Sequence, residues 1–224
     1  MADIHGQPMI VHVWRRALEA RVGHVLVAAA ENEVAEAIRA QGGDAIVTTA
    51  SLPSGSDRVA EALKLRDPQR LFKYVVNLQG DLPTIDPLAV KRCLAGLMNE
   101  PVDIATLAAP LDDREKDKDH VVKAIANLAG DREAAYARDF VRVLGPDHQP
   151  PYWHHIGIYA YKRAALEKFV ACPVSPREKE HALEQLRGLD NGMTIAVVRV
   201  DSVPLGVDTK EDLDEARRLL KAVP

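Results

Sequence analysis

Between His24 and Ala109, short apolar runs rich in β-branched residues alternate with segments of helical periodicity, and that alternation limits the fold more than any other feature. His24 to Ala30 reads as a buried strand, Glu31 to Gln41 as a helix ended by Gly42-Gly43, and Ala45 to Thr49 as a short strand. A helix is expected over Asp57 to Arg66, then a strand ending at Asp81, a helix over Asp86 to Met98 and a strand over Asp103 to Ala109. Ahead of these, Ile10, Val13, Trp14, Ala17 and Leu18 recur at helical spacing after Gly6-Gln7-Pro8. Strands separated by helices of this length build parallel βαβ units covered on both faces.

After Pro110 the pattern changes. Leu111 to His120 is charge-dense and reads as a solvated loop or short exposed helix. Val121 to Asn127, Ala134 to Val143 and Trp153 to Tyr161 read as strands joined by turns, Gly145-Pro146-Asp147 being the clearest, so an antiparallel addition to the parallel core is expected. Helices follow at Arg163 to Ala171 and Arg177 to Leu189, then a strand at Thr194 to Val200 and a last helix from Glu211 to Ala222. The 224 residues suit one domain, or a core with an inserted lobe, and the net charge of −4 offers no attraction for nucleic acid. Cys93 and Cys172 lack metal-like spacing and suit a reducing compartment; with no stretch of membrane-spanning length and no signal peptide, a cytoplasmic protein is expected.

The chemistry is concentrated at a few loops. Val75-Val76-Asn77-Leu78-Gln79-Gly80-Asp81-Leu82-Pro83 reads as a buried strand that delivers one carboxylate at its carboxyl end, the edge where open α/β sheets bind ligands. The alternative is a loop Asp making local hydrogen bonds. In Pro204-Leu205-Gly206-Val207-Asp208-Thr209, Thr209 with Asp212 explains the start of a helix but not Asp208, which becomes a second candidate metal ligand. Two carboxylates without His or Cys suit Mg²⁺ carrying a polyphosphate and argue against zinc. Ser54, Ser56 and Arg58 surround a helix start, where they suit a nucleotide or, alternatively, an ordinary N-cap with Ser56 capping. Glu184 and Gln185 could hold sugar hydroxyls or simply face water. On the strand Trp153 to Tyr161, His155, Gly157 and Tyr159 share one face; a ligand-facing row and a buried, satisfied histidine are both compatible with that.

Together these stretches resemble the 3-deoxy-manno-octulosonate (Kdo) cytidylyltransferases, the CMP-Kdo synthetases of lipopolysaccharide biosynthesis. The matching pieces run in the family's order: Asp3-Ile4-His5-Gly6-Gln7-Pro8-Met9-Ile10, Ser54-Gly55-Ser56-Asp57-Arg58, Asn77-Leu78-Gln79-Gly80-Asp81, His155-Ile156-Gly157-Ile158-Tyr159, Leu183-Glu184-Gln185-Leu186-Arg187 and Gly206-Val207-Asp208-Thr209. The resemblance implies an α/β fold of the nucleotide-diphospho-sugar transferase type: a mostly parallel sheet flanked by helices, with a small antiparallel lobe at about residues 121–153 used for homodimerisation. It implies transfer of CMP from CTP to Kdo with release of pyrophosphate. Asp81 and Asp208 would hold Mg²⁺, with Ser54, Ser56, Arg58 and Gln79 around the nucleotide. His155, Tyr159, Glu184, Gln185 and Arg138 would line the sugar pocket. The competing readings are a catalytically impaired fragment or paralogue, and an enzyme of the CMP-sialic acid synthetase type.

Three departures from the family pattern stand out. The family opens with an apolar strand and a Pro-Ala-Arg…Arg-Leu-Pro-Gly-Lys-Pro-Leu loop that grips the triphosphate, and here Met1 stands at that loop's final Leu. A start codon upstream of Met1 is therefore expected, with activity in the extended form. Leu82 stands where the family more often has Glu. The family's Tyr-Phe-Ser-Arg reads Tyr136-Ala137-Arg138-Asp139 here, which moves Arg138 one place early and, on a regular strand, to the opposite face; Arg142 is the other candidate for the sugar carboxylate.

Overall fold

The computed structural model describes residues 2–99, 101–128, 130 and 132–220; Met1 and the expected helix end at Ala222 lie outside the described residues. The chain divides into two compact units, the first drawn from Met1–Gln69, Leu78–Lys91 and Pro204–Pro224, the second from Arg70–Asn77 and Arg92–Val203.

The first unit opens with a hairpin of β1 (Asp3–Ile4) and β2 (Gln7–Pro8). Its turn residues His5 and Gly6 both have positive φ, 52° and 79°, the backbone that matches the twist of paired strands and that glycine adopts without strain. Helix α1 (Met9–Ala20) follows, buries Val11, Val13 and Ala20, and ends on Arg21 in the left-handed region. Then come β3 (Leu26–Ala29), α2 (Asn32–Ala40) and β4 (Asp44–Val47), a βαβ unit whose strands pair in parallel from Leu26 opposite Asp44 to Ala29 opposite Val47. Val11, Ala29, Ala35, Ile38 and Ala45 form its core, with Ile10, Trp14, Val27 and Val34 packed against it. Fully burying a side chain such as Ile38 contributes about 2 kcal/mol. Helix α3 (Gly55–Arg66) starts two residues before the expected Asp57, because Ser54 and not Ser56 is the N-cap.

The chain then forms β5 (Tyr74–Leu78), α4 (Pro87–Asn99) and β6 (Ile104–Pro110). Strands β7 (Lys123–Ala126), β8 (Ala134–Val141) and β9 (Tyr152–Lys162) follow. Next are helices α5 (Arg163–Ala171), α6 (Pro176–His181) and α7 (Gln185–Asp190), and strand β10 (Ile195–Arg199). Helix α8 (Lys210–Leu219) returns to the first unit, capped by Thr209 and Asp212 as the sequence implies.

The second unit is built on a six-stranded sheet in the order β5-β9-β6-β10-β8-β7, and β7 also pairs with β9, which closes five of the strands into a ring. Only β6 and β10 run parallel among the described pairings of that sheet; β6–β9, β8–β10, β7–β8 and β7–β9 are antiparallel. The sheet is therefore mixed, not mostly parallel as expected. The reason lies in β9, which arrives through a turn-rich connection without a crossover helix and still takes a central position, between β5 and β6. A strand buried on both faces carries no mark of its direction in sequence. Gly96 of α4 permits close packing on β10, since a Cβ there would lie 2.2 Å from the Val198 side chain.

Two irregularities interrupt the ladders of this sheet. Thr106 is opposite Tyr159 while Leu107 is opposite Ile156, so Gly157 and Ile158 bulge out of β9. Ile125 is opposite Asp139 while Ala126 is opposite Ala137, so Arg138 is the extra residue of β8. The expected helix Arg177 to Leu189 is in fact two, broken where Ala182 takes a φ of 50°. Among the described residues, no helix is long and apolar enough to cross a membrane.

Candidate active site

In the first unit, the loops carrying Asp81 and Asp208 are joined by hydrogen bonds. The Val207 N–H donates to the Asp81 carbonyl at 2.9 Å, the Leu205 N–H donates to the Thr84 hydroxyl at 3.0 Å, and that hydroxyl lies 3.3 Å from the Leu205 carbonyl. Asp208 therefore follows directly after the residue bonded to Asp81. Its side chain is exposed, and its N–H turns back to Asp212 at 3.3 Å. Asp81 is half-buried, and its Oδ1 is a buried atom with no hydrogen-bond partner. Burial, and next the charge of Asp208, pushes the Asp81 carboxyl above its ordinary range. Two like charges and an unpaired buried carboxylate oxygen are what a divalent cation would relieve. Leu82, next to Asp81, is buried and adds no third charge.

The candidate nucleotide residues lie in the same unit. The Ser54 hydroxyl accepts from Asp57 N–H at 3.2 Å and donates to the Asp57 carboxylate at 2.6 Å, so it serves the helix start. Ser56 is fully buried in the first turn. Arg58 donates to the Thr48 hydroxyl at 2.8 Å and to the Thr49 and Ala50 carbonyls at 3.1 and 3.4 Å, which holds the loop after β4. Gln79 is half-buried directly after β5. Gln7, on β2, has a buried Oε1 with no partner.

The candidate sugar residues belong to the second unit. His155 and Tyr159 keep a common face because the bulge between them inserts two residues and preserves the alternation. Their ring centroids are 5.8 Å apart, in a row that runs from Phe140 through His155, Tyr159 and Tyr161 to Phe169. The Tyr159 hydroxyl donates to Gln185 Oε1 at 3.0 Å, leaving Gln185 Nε2 buried without a partner. Gln185 is buried and not facing water, while Glu184 beside it is half-buried. Burial pushes the Tyr159 hydroxyl well up, with Glu184 adding to the effect, and burial pushes His155 down to about 3, so its ring is neutral. Arg187 fixes the helix that carries Gln185: it is buried, lies 4.7 Å over the Phe169 ring, and forks onto Glu178 at 2.9 and 2.6 Å.

Arg138 is exposed at its bulge and donates to the Gln149 and Pro150 carbonyls, at 2.9 and 3.3 Å. Arg142 instead donates to the His181 and Ala182 carbonyls at 2.8 and 3.4 Å, in the linker that leads to Glu184. Sequence reasoning missed Thr84, Glu178 and Thr106. Thr106 had a signal, being the single polar residue in the apolar run Ile104 to Ala109.

Comparison with known proteins identifies the family and the fold. The cytidylyltransferase family profile matches residues 1–195. The 3-deoxy-manno-octulosonate cytidylyltransferase of Paramagnetospirillum magneticum is 48% identical over 223 residues, covering 99% of this chain and 91% of the relative. That of Rhodospirillum centenum is 52% identical over 221 residues, covering 98% and 86%. The solved structure of a CMP:2-keto-3-deoxy-manno-octonic acid synthetase complexed with CTP superimposes with a TM-score of 0.84 at 35% identity, covering 97% of this chain and 89% of that one. The chain thus has the α/β fold of nucleotide-diphospho-sugar transferases and belongs to the cytidylyltransferase family, among the 3-deoxy-manno-octulosonate cytidylyltransferases.

Proposed function

We propose that this protein transfers CMP from CTP to Kdo. The anomeric hydroxyl of the sugar acid attacks the α-phosphorus; a new O–P bond forms, the bond to the bridging oxygen breaks, pyrophosphate leaves and the hydroxyl proton is released. The observation that carries the chemistry is the unpaired buried Oδ1 of Asp81 on a loop bonded to the Asp208 loop. These two carboxylates would hold Mg²⁺, which when bound neutralises phosphate charge and favours ionisation of the attacking hydroxyl. Gln79, Ser54, Ser56 and Arg58 serve the nucleotide side, Arg58 and Ser54 chiefly by holding the backbone around it.

On the sugar side, the Tyr159 hydroxyl orients the Gln185 amide so that Nε2 is offered to a sugar oxygen. His155 and Glu184 complete a set of groups suited to a polyhydroxylated acid. Arg142, tied to the linker before Glu184, is better supported than Arg138 as the partner of the sugar carboxylate. Tyr136 and Val143, 51% and 67% exposed, suit an apolar contact between two copies through the strands of residues 121–153.

A pyrophosphate-release assay with CTP and Mg²⁺ tests the reading. It compares Kdo with sialic acid as the acceptor. Turnover is expected with Kdo alone, and Asp81→Asn and Asp208→Asn are each expected to cut it at least ~1000-fold. Turnover with sialic acid but not Kdo would overturn the sugar assignment; undiminished turnover in either variant would overturn the carboxylate assignment.

A further inference from the structure

Thr106 lies fully buried in the middle of β6, between β9 and β10. Its Oγ1 is 2.7 Å from the Ile158 carbonyl, 3.2 Å from the Ile156 carbonyl and 2.9 Å from His155 Nε2. The two carbonyls flank the bulge of β9, where the ladder is interrupted. A hydroxyl has one proton, and a carbonyl can only accept. Were that proton given to His155, the 2.7 Å approach to Ile158 would set two oxygen lone pairs against each other with no hydrogen between them. The proton therefore goes to the Ile158 carbonyl, and the remaining contact requires His155 Nε2–H to donate to Thr106 Oγ1.

We propose that Thr106 is a positioning residue that locks His155 in the Nε2–H tautomer, so that Nδ1 is held as a hydrogen-bond acceptor for a hydroxyl of the sugar acid. The role follows from one buried oxygen acting in two directions, stapling the bulge and fixing the ring. The ring's neutrality at ordinary pH agrees with it, because a neutral imidazole carries one N–H and choosing its place decides which nitrogen accepts. Gln185 Nε2 supplies the complementary donor, reached from His155 through the Tyr159 ring and hydroxyl. One fixed acceptor and one fixed donor suit sugar hydroxyls, each of which can both give and receive a proton. This inference rests on the proposed placing of Kdo at His155.

The test uses the chain with ¹⁵N-labelled histidine. In the wild type and in Thr106→Ser, which keeps the hydroxyl, the His155 ring should show a protonated Nε2 and a bare Nδ1. Thr106→Val should give a mixture of tautomers and bind Kdo about tenfold more weakly by calorimetry, the weight of one hydrogen bond, with CTP affinity unchanged. Thr106→Cys, a weak donor, gives the same readings should the valine variant not fold. An unaltered Nε2–H ring in the Val or Cys variant, or CTP binding weakened as much as Kdo binding, would overturn the role of Thr106. Unchanged Kdo affinity in His155→Ala would instead remove the sugar from His155, whatever the tautomer result.

Discussion

The carboxylate loops of the first unit and the aromatic–amide network of the second present a ligand with opposite kinds of readiness. Asp81 and Asp208 sit on turns, are held by their backbones, and leave negative charge uncompensated, with one Asp81 oxygen buried and unpaired. Around Tyr159, nearly every polar group is already engaged: Thr106 with His155 and two carbonyls, Tyr159 with Gln185, and Arg187 with Glu178. Among the described residues, the buried polar atom left without a partner there is the Gln185 amide nitrogen. Charge is the cheapest thing for a mobile cation to bring and the costliest for a protein to leave buried, whereas hydroxyl recognition needs directions that only a rigid frame supplies. Under the proposed function, the first region would be completed by its ligand, whereas the second is set before a ligand arrives.

That contrast can be broken by acid. His155 is held neutral in the folded chain, with its pKa lowered from 6.5 to about 3, while an unfolded chain takes up a proton below 6.5. Its contribution to stability is therefore present above pH 6.5 and is lost progressively as the pH falls toward 3. By pH 4.5 the loss should reach about 2–3 kcal/mol. Urea unfolding at pH 7 and 4.5 should show this loss in the wild type and a smaller one in His155→Gln; equal losses would mean that the ring is solvated and the network is not preformed.

A smaller effect sharpens the same contrast. Gln185→Leu removes the unpaired donor but also leaves the Tyr159 hydroxyl without its acceptor. Kdo affinity should fall ~10–30-fold while the affinity for CTP with Mg²⁺ stays as it was, roughly 1.4–2 kcal/mol confined to one substrate. Loss spread evenly over both substrates would show that the two regions are not separate in function.

How far the sequence reveals these regions depends on how local their causes are. The end of β5 at Asp81 and the capping of α8 by Thr209 and Asp212 were legible, because strand ends and capping boxes are written in adjacent residues. The shared face of His155 and Tyr159 was read correctly by strict alternation, although the strand is bulged; two inserted residues return the parity to where it began. The N-cap is Ser54 and not the expected Ser56, because either serine of Ser54-Gly55-Ser56 satisfies the local rule and the choice depends on Asp57. The break at Ala182 carries no glycine, and the apolar spacing of residues 182, 183 and 186 continues a helical pattern across it. The central place of β9 follows from pairing over long separations, which no local pattern encodes. Thr106 shows in the sequence as the lone polar residue of an apolar run, a signal that acquires meaning only with the bulge opposite it.

Asp81 and Asp208 are proposed to share one divalent ion, and Mn²⁺ reports on this directly because free and bound ion differ in their electron paramagnetic resonance. Titrating Mn²⁺ into the protein with CTP present should reveal one bound ion per chain in the wild type, with affinity lowered tenfold or more in both Asp81→Asn and Asp208→Asn. Wild-type affinity for Mn²⁺ in either variant would contradict it.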